Sequence, residues 1–492
     1  MNGITTIAKN LSLHLGGKIL LDNISFELEN GSHLLLTGPS GSGKTLLTKA
    51  IAGQLFHEGS ICFLENGLSI SPSVLRVEQH YHFTNLAHIN QFYYQQRFNS
   101  MDADDAATVS EELQAFNPAP DKLAALLSIF GLEDRLQSPL LHLSSGEHKR
   151  FQLIRAFLQE PQIMILDEPF TGMDKRSREL LRSYMTERAE EGCQFIVICD
   201  QIDCPGFINT IAVLKEGKLE AFGKRSPESI NQAATLFPNN PGAGAIPLPA
   251  PPLPFLFSQI IEMNQAGIRY GNKTILEAVQ WTVLNGERWW LKGANGSGKS
   301  TLLSLVTADN PKAYSNDLWL FGRKRGTGES IWDIKKNIGY VSPELQWYFD
   351  NSQTCYNAVA SGLFDTIGLF RQLSERQHQQ VMHWLEAFGL TAFRFKLLSL
   401  LSTSQQRLTL LARAMVKNPP LLILDEPCQG LDETQRDHFT GIVDMLCEDE
   451  NRTLIYVTHY EEELPACINR KIELENGRAK TGTYYSEKLL SA

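Results

Sequence analysis

The sequence predicts an α/β protein in which one domain occurs twice, each copy combining a mixed sheet with an antiparallel β subdomain and a helical subdomain. Three observations carry that reading. First, GPSGSGKT at 38–45 returns as GANGSGKS at 293–300, LSSGE at 143–147 returns as LSTSQ at 401–405, and IMILDEP at 163–169 returns as LLILDEP at 421–427. The offsets are 255, 258 and 258. Blocks in one order at a near-constant offset mark a duplicated unit. Second, an apolar run enters each glycine loop (HLLLTG, RWWLKG), as a buried strand does, and a helix-forming run leaves it (KTLLTKAIAG, KSTLLSLVTA). Third, strand-like and helix-like runs alternate around that loop, the pattern of an α/β sheet.

The remaining elements follow in chain order. LDNISFELENG and EAVQWTVLNG alternate apolar with polar residues, as half-buried antiparallel strands do. Residues 88–132 read as a helical insertion in the first copy. After each Leu-Ser pentapeptide a helical run ends at a proline, Pro161 or Pro419, and an apolar strand ending in Asp-Glu follows, at 163–168 and 421–426. The expected domains are 1–230 and 258–492, joined by a linker over 231–257. From Ser229 to Ile261 there is no charged residue, and PNNPGAGAIPLPAPPLPF at 238–255 is proline-rich. Proline fixes φ and disfavours helix in the residue before it, so this stretch is an extended, semi-rigid connector, either passive or packed by its Leu and Phe residues along one domain.

Composition narrows the function. A chain of 492 residues is too long for one ordinary core, and 42% hydrophobic with 20% charged residues is a globular balance. A net charge of −10 argues against a general nucleic-acid binder, which needs a basic surface. No transmembrane segment and no targeting segment are expected, which points to a cytoplasmic protein, at most peripheral on the inner face of the cell membrane. Eight cysteines without a CxxC pair do not make a disulfide framework, and Cys199 with Cys204 reads as structural.

G-x-x-x-x-G-K-[ST] is a phosphate-binding loop. Gly38, Gly41 and Gly43, and likewise Gly293, Gly296 and Gly298, let backbone N–H groups turn inward around phosphate oxygens at the positive end of a helix. Lys44 and Lys299 reach the β- and γ-phosphates, while Thr45 and Ser300 ligate Mg²⁺. Asp167 and Asp425 hold that Mg²⁺ through water, and Glu168 and Glu426 polarise the attacking water. Both domains are therefore expected to bind ATP with Mg²⁺. Ser144 and Ser402 stand at helix starts, where a serine is ordinarily an N-cap.

Combined with the phosphate loop and the Asp-Glu strand, the Leu-Ser pentapeptide resembles the signature of ATP-binding cassette (ABC) ATPases. The resemblance implies that Ser144 with Gly146, and Ser402 in the other copy, face a nucleotide held by the opposite cassette. It further implies that Gln79 in RVEQ is the glutamine loop, that Tyr270 in IRYGN stacks on adenine where the first copy has Leu15, and that His459 in YVTHYEEE is the switch histidine. The loops TGMD (171–174) and QGLD (429–432) fit the same pattern. The stretches 301–346 and LFDTIGLF (363–370) resemble the molybdate-transport-type tandem ATP-binding proteins (ModF/PhrA-like).

Departures from the ABC pattern predict two unequal sites. Asp200 in FIVICDQID stands where the switch histidine belongs, Ser404 replaces the second signature glycine, and the second glutamine loop has Pro343 or Glu344 in place, with Gln346 nearby. The implied function is an ATPase that energises a separate integral-membrane permease; the alternative is an ABC protein without a permease, acting as a remodelling or regulatory factor.

Overall fold

The computed structural model describes residues 3–15, 18–39, 41–78, 107–140, 143, 145–170, 173, 175–199, 204–226, 256–270, 273–294, 296–350, 352–431 and 433–484. These form two compact units, the first ending at 226 and the second beginning at 256.

In the first unit, strands β1 (Leu34–Thr37), β2 (Val74–Val77), β3 (Ile163–Asp167) and β4 (Gln194–Ile198) run parallel in the spatial order β1-β4-β3-β2. The hairpin Thr210–Lys215 and Lys218–Lys224 extends the sheet beyond β1, its second strand antiparallel. In the second unit, β5 (Arg288–Gly293), β6 (Ile338–Val341), β7 (Leu421–Asp425) and β8 (Thr453–Val457) repeat that order as β5-β8-β7-β6, with the hairpin Arg470–Glu475 and Arg478–Thr483 beyond β5. Each unit also carries a four-stranded antiparallel sheet, begun by Ile4–Leu15 with Lys18–Leu28 and by Gln259–Tyr270 with Lys273–Leu284. The second strand of each pair holds one of the two alternating segments of the sequence. The expected class, α/β cassettes with a mixed sheet, an antiparallel subdomain and a helical subdomain, is the one found.

The strands of the central sheet are mostly apolar because both faces are covered. In the first unit Leu34, Leu36, Ile163, Ile165, Ile196 and Ile198 face the antiparallel sheet and the loop helix, whereas Leu35, Met164, Leu166 and Val197 join the helical side with Phe130, Phe151 and Phe157. The helices that matter for the site are α1 (Lys44–Ile51), α2 (Ser145–Leu158), α3 (Lys299–Val306) and α4 (Thr403–Met415). Glu160 and Asn418, with φ of 46° and 50°, turn the chain out of α2 and α4 just before Pro161 and Pro419. A left-handed residue followed by proline is a common way to end a helix.

Of the predicted insertion 88–132, residues 88–106 lie outside the described residues; the rest folds as Val109–Gln114 and Pro120–Phe130. Of the connector, only 256 and 257 are described, and the Phe257 ring packs 5.3 Å from that of Phe321 in the second unit.

Candidate nucleotide sites

Both glycine loops fold alike. α1 and α3 begin at Gly43 and Gly298, each with φ 104° and no side-chain cap, so the first N–H groups of each helix remain available to an anion. Gly38 (φ 148°), Gly41 (79°) and Gly296 (78°) also lie where only glycine is comfortable. Gly293 does not have positive φ, but a Cβ there would come 2.5 Å from the Ser297 hydroxyl. The lysines fold back over their loops: Lys44 Nζ donates to the carbonyls of Gly38 (2.5 Å) and Pro39 (3.0 Å), and Lys299 Nζ to those of Gly293 (2.7 Å) and Ala294 (3.1 Å). The ammonium groups thus sit at the mouth of each loop.

The two Asp-Glu strand ends share one unusual feature. Glu168 and Glu426 have φ of 49° and 44°, a conformation that non-glycine residues adopt at a cost. Each is held by its own N–H, donating to Ile198 (2.8 Å) or Val457 (2.9 Å) of the neighbouring strand. In the second cassette His459 Nε2 lies 3.3 Å from Glu426 Oε1 and 3.3 Å from Lys299 Nζ. Burial alone would raise the Glu426 carboxyl, yet His459, Lys299 and Arg407 hold it below the ordinary glutamate range. A carboxylate, an imidazole and an ammonium therefore converge beside the loop. Ser300 and Asp425, hydroxyl and carboxylate oxygens at the start of α3 and the end of β7, are a donor set that suits Mg²⁺.

The first cassette differs. Thr45 Oγ1 donates to Asp167 Oδ2 at 3.1 Å, which brings the two expected metal ligands together. The buried Arg76 guanidinium, on β2, reaches the same oxygen at 3.0 Å and also bonds Glu78 (2.5 Å) and Thr48 (3.2 Å). Lys149 Nζ, on α2, donates to the carbonyls of Glu78 (2.9 Å) and Asp167 (3.1 Å). Burial pushes this ammonium down to about 8 although Asp167 and Glu168 pull it up. At the matching position of α4 stands Arg407, also buried, donating to the Gln429 carbonyl at 3.2 Å and pushed down to about 10 by burial. Sequence reasoning missed Arg76, Lys149 and Arg407. Arg76 opens the RVEQ stretch, but the glutamine-loop pattern assigns no role to that position, and a basic residue on the signature helix reads from sequence as a solvated face.

Sheet register settles which residues correspond. Val77 pairs with Leu166 as Val341 pairs with Leu424, so Tyr340 takes the place of Arg76, and two residues past the matched valines the sequences read Gln79 and Pro343. Pro343 opens a short helix whose cap, Ser342, accepts from the Leu345 N–H, and Gln346 donates to Gln406 at 2.7 Å. No glutamine occupies the loop position there. Ser402 caps α4, accepting from the Gln405 N–H while Gln405 returns the bond, with Ser404 one turn position inside. Gly146 is buried in the first turn of α2. Tyr270 is 43% exposed, its hydroxyl accepting from Asn310 at 3.1 Å. Gln79, Ser144 and Asp200 lie outside the described residues, as do TG at 171–172, Asp174 and the side chain of Leu15.

A mixed sheet between an antiparallel layer and a helical one, with a glycine loop feeding a helix beside a strand ending in Asp-Glu, defines a P-loop ATPase cassette. The ABC transporter family profile matches residues 21–171 and 276–429, and the chain belongs to that family as a tandem pair of ATPase cassettes. It is 35% identical to the ABC transporter ATP-binding protein ModF of Escherichia coli, over 91% of this chain and 92% of that one. It is 33% identical to an uncharacterized ABC transporter ATP-binding protein of Schizosaccharomyces pombe, over 93% and 95%. Among solved structures, a model of ribosome-bound archaeal Pelota and ABCE1 shares the fold with a TM-score of 0.62 at 17% identity, over 96% of this chain and 78% of that one. Among the described residues no helix is long and apolar enough to cross a membrane.

Proposed function

We propose that the chain binds ATP in both cassettes, hydrolyses it at two unequal composite sites, and energises a separate membrane permease. The observation that carries this reading is the cluster of Lys299, Glu426 and His459, mutually close in the second cassette, against Asp200 at the matching sequence position of the first. In the active site Lys299 binds phosphate oxygens, Glu426 polarises the attacking water, and His459 stabilises charge that develops on the γ-phosphate. Ser300 and Asp425 hold Mg²⁺, whose charge offsets that of the phosphates. The signature facing this nucleotide is LSSGE of the first cassette, with Gly146 in place. The other site pairs Lys44, Thr45, Asp167, Glu168 and Gln79 with LSTSQ. There Ser404 crowds the phosphate and Asp200 cannot donate a hydrogen bond to it.

The printed name of the Escherichia coli relative, an ABC transporter ATP-binding protein, supports a permease partner. Affinity purification of the full chain from detergent-solubilised membranes tests it. Stoichiometric recovery of an integral-membrane protein, strengthened by ATP, is expected; recovery of the chain with no membrane protein in any nucleotide state contradicts it.

A further inference from the structure

At the place where a divalent ion is expected, the first cassette carries a buried guanidinium, paired on its far side with Glu78, and the second has no cation at that register. In the first, Asp167 Oδ2 accepts from both Thr45 (3.1 Å) and Arg76 (3.0 Å), and the Arg76 side chain is 1% exposed. All three guanidinium nitrogens are engaged, by Thr48, Glu78 and Asp167, so the side chain is fixed and not a passing visitor. Lys149 adds a second cation on the Asp167 carbonyl. In the second cassette the neutral ring of Tyr340 stands at the register of Arg76, and Arg407 at that of Lys149. A guanidinium keeps its charge at any ordinary pH. A doubly charged ion brought to the same carboxylate meets repulsion from it across a few ångströms, in a site where water screens poorly. The donor set of the first cassette, its Asp167 oxygen already shared by a hydroxyl and a guanidinium, therefore suits Mg²⁺ poorly.

We propose that Arg76 is the resident cation of the first nucleotide site, neutralising Asp167 and excluding the divalent ion, so that this cassette holds ATP independently of metal while the second requires it. The inference rests on both cassettes binding ATP. It gives the slow site a reason beyond Asp200: nucleotide is retained there without the ion that hydrolysis uses.

The test counts ions and nucleotides on the intact chain. The chain is saturated with Mn²⁺ and a non-hydrolysable ATP analogue and freed of excess by gel filtration. Bound Mn²⁺ is read by electron paramagnetic resonance and bound analogue by absorbance. Two nucleotides and one ion per chain are expected. Two nucleotides with two ions overturn the proposal and leave ATP binding at both sites intact; fewer than two nucleotides overturn that binding reading and the proposal with it. Arg76→Tyr, which installs the residue of the second cassette, should bring the count to two ions, and an unchanged single ion would take the role away from Arg76. Should that variant not fold, the wild-type chain gives a second readout. Replacing Mg²⁺ by EDTA should weaken one class of fluorescent-ATP site by about tenfold or more and the other by less than about threefold. Equal weakening of both classes contradicts the proposal.

Discussion

Glu463 lies just beyond the switch segment, and the Thr458 hydroxyl donates to its carboxylate. Burial, together with the negative charge of Glu426, pushes its pKa from 4.5 up to about 7, against the pull of the Thr458 bond. The folded state then binds more protons than the unfolded state between these two values. Stability of the second cassette should fall as pH rises from about 4.5 to about 7, and level off above. Thermal unfolding followed from pH 5 to 8 should show that slope in the wild type and a shallower one in Glu463→Gln; equal slopes would remove Glu463 as the cause. Tyr270 gives a second residue-scale expectation. Its exposed ring is steadied by the Asn310 bond, with the Lys312 ammonium 4.7 Å from the ring centroid. Stacking on a base is worth about 1–3 kcal/mol, so Tyr270→Ala should weaken nucleotide binding by about fivefold to 150-fold at one site and leave the other unchanged. Lys44, Lys299, Glu168 and Glu426 were legible because motif spacing names them. Arg76, Lys149 and Arg407 were not, because their meaning comes from a strand register and a helix face that only the folded chain defines.

Among the elements, those with a strong period were legible: the apolar strands β3 and β7, the loop helices α1 and α3, and the antiparallel segments. The second glutamine loop was legible only as an absence. Pro343, Glu344 and Gln346 all stand near the position in sequence, and the pairing of β6 with β7 decides for Pro343. A proline at the first position of a helix is pre-set in φ and lacks a donor, so it starts a helix where the sequence of the first cassette has Gln79. The Ser402 capping box at the head of α4 invites a measurement. Ser402→Ala should cost about 1 kcal/mol of stability in denaturant unfolding, and Ser402→Asn, which can still cap, should recover most of it. If both variants lose ATPase activity equally while only the first loses stability, the hydroxyl acts on nucleotide as well as on the helix.

At the scale of the molecule, the duplication is written in the sequence and repeated in the two sheet orders. How the copies face one another is not, since spacing within a copy carries no information about its partner. The proline-rich sequence at 238–255 reads as a short connector, and pairing within one chain is the expectation drawn from it, because such a tether raises the effective concentration of each cassette near the other. Small-angle scattering of Glu426→Gln with ATP should show compaction at unchanged mass; dimerisation of the chain without compaction would contradict it. The central claim is that the two sites are unequal, and one pair of variants tests it most directly. Steady-state phosphate release is compared between Glu426→Gln and Glu168→Gln, each in the full chain. Loss of one stabilising contact to a transition state typically costs about 10²–10³ in rate, so on this proposal the site with Asp200 in place of histidine should contribute little turnover. Glu426→Gln should therefore abolish most phosphate release and Glu168→Gln should leave most of it; equal loss in the two variants would contradict the asymmetry.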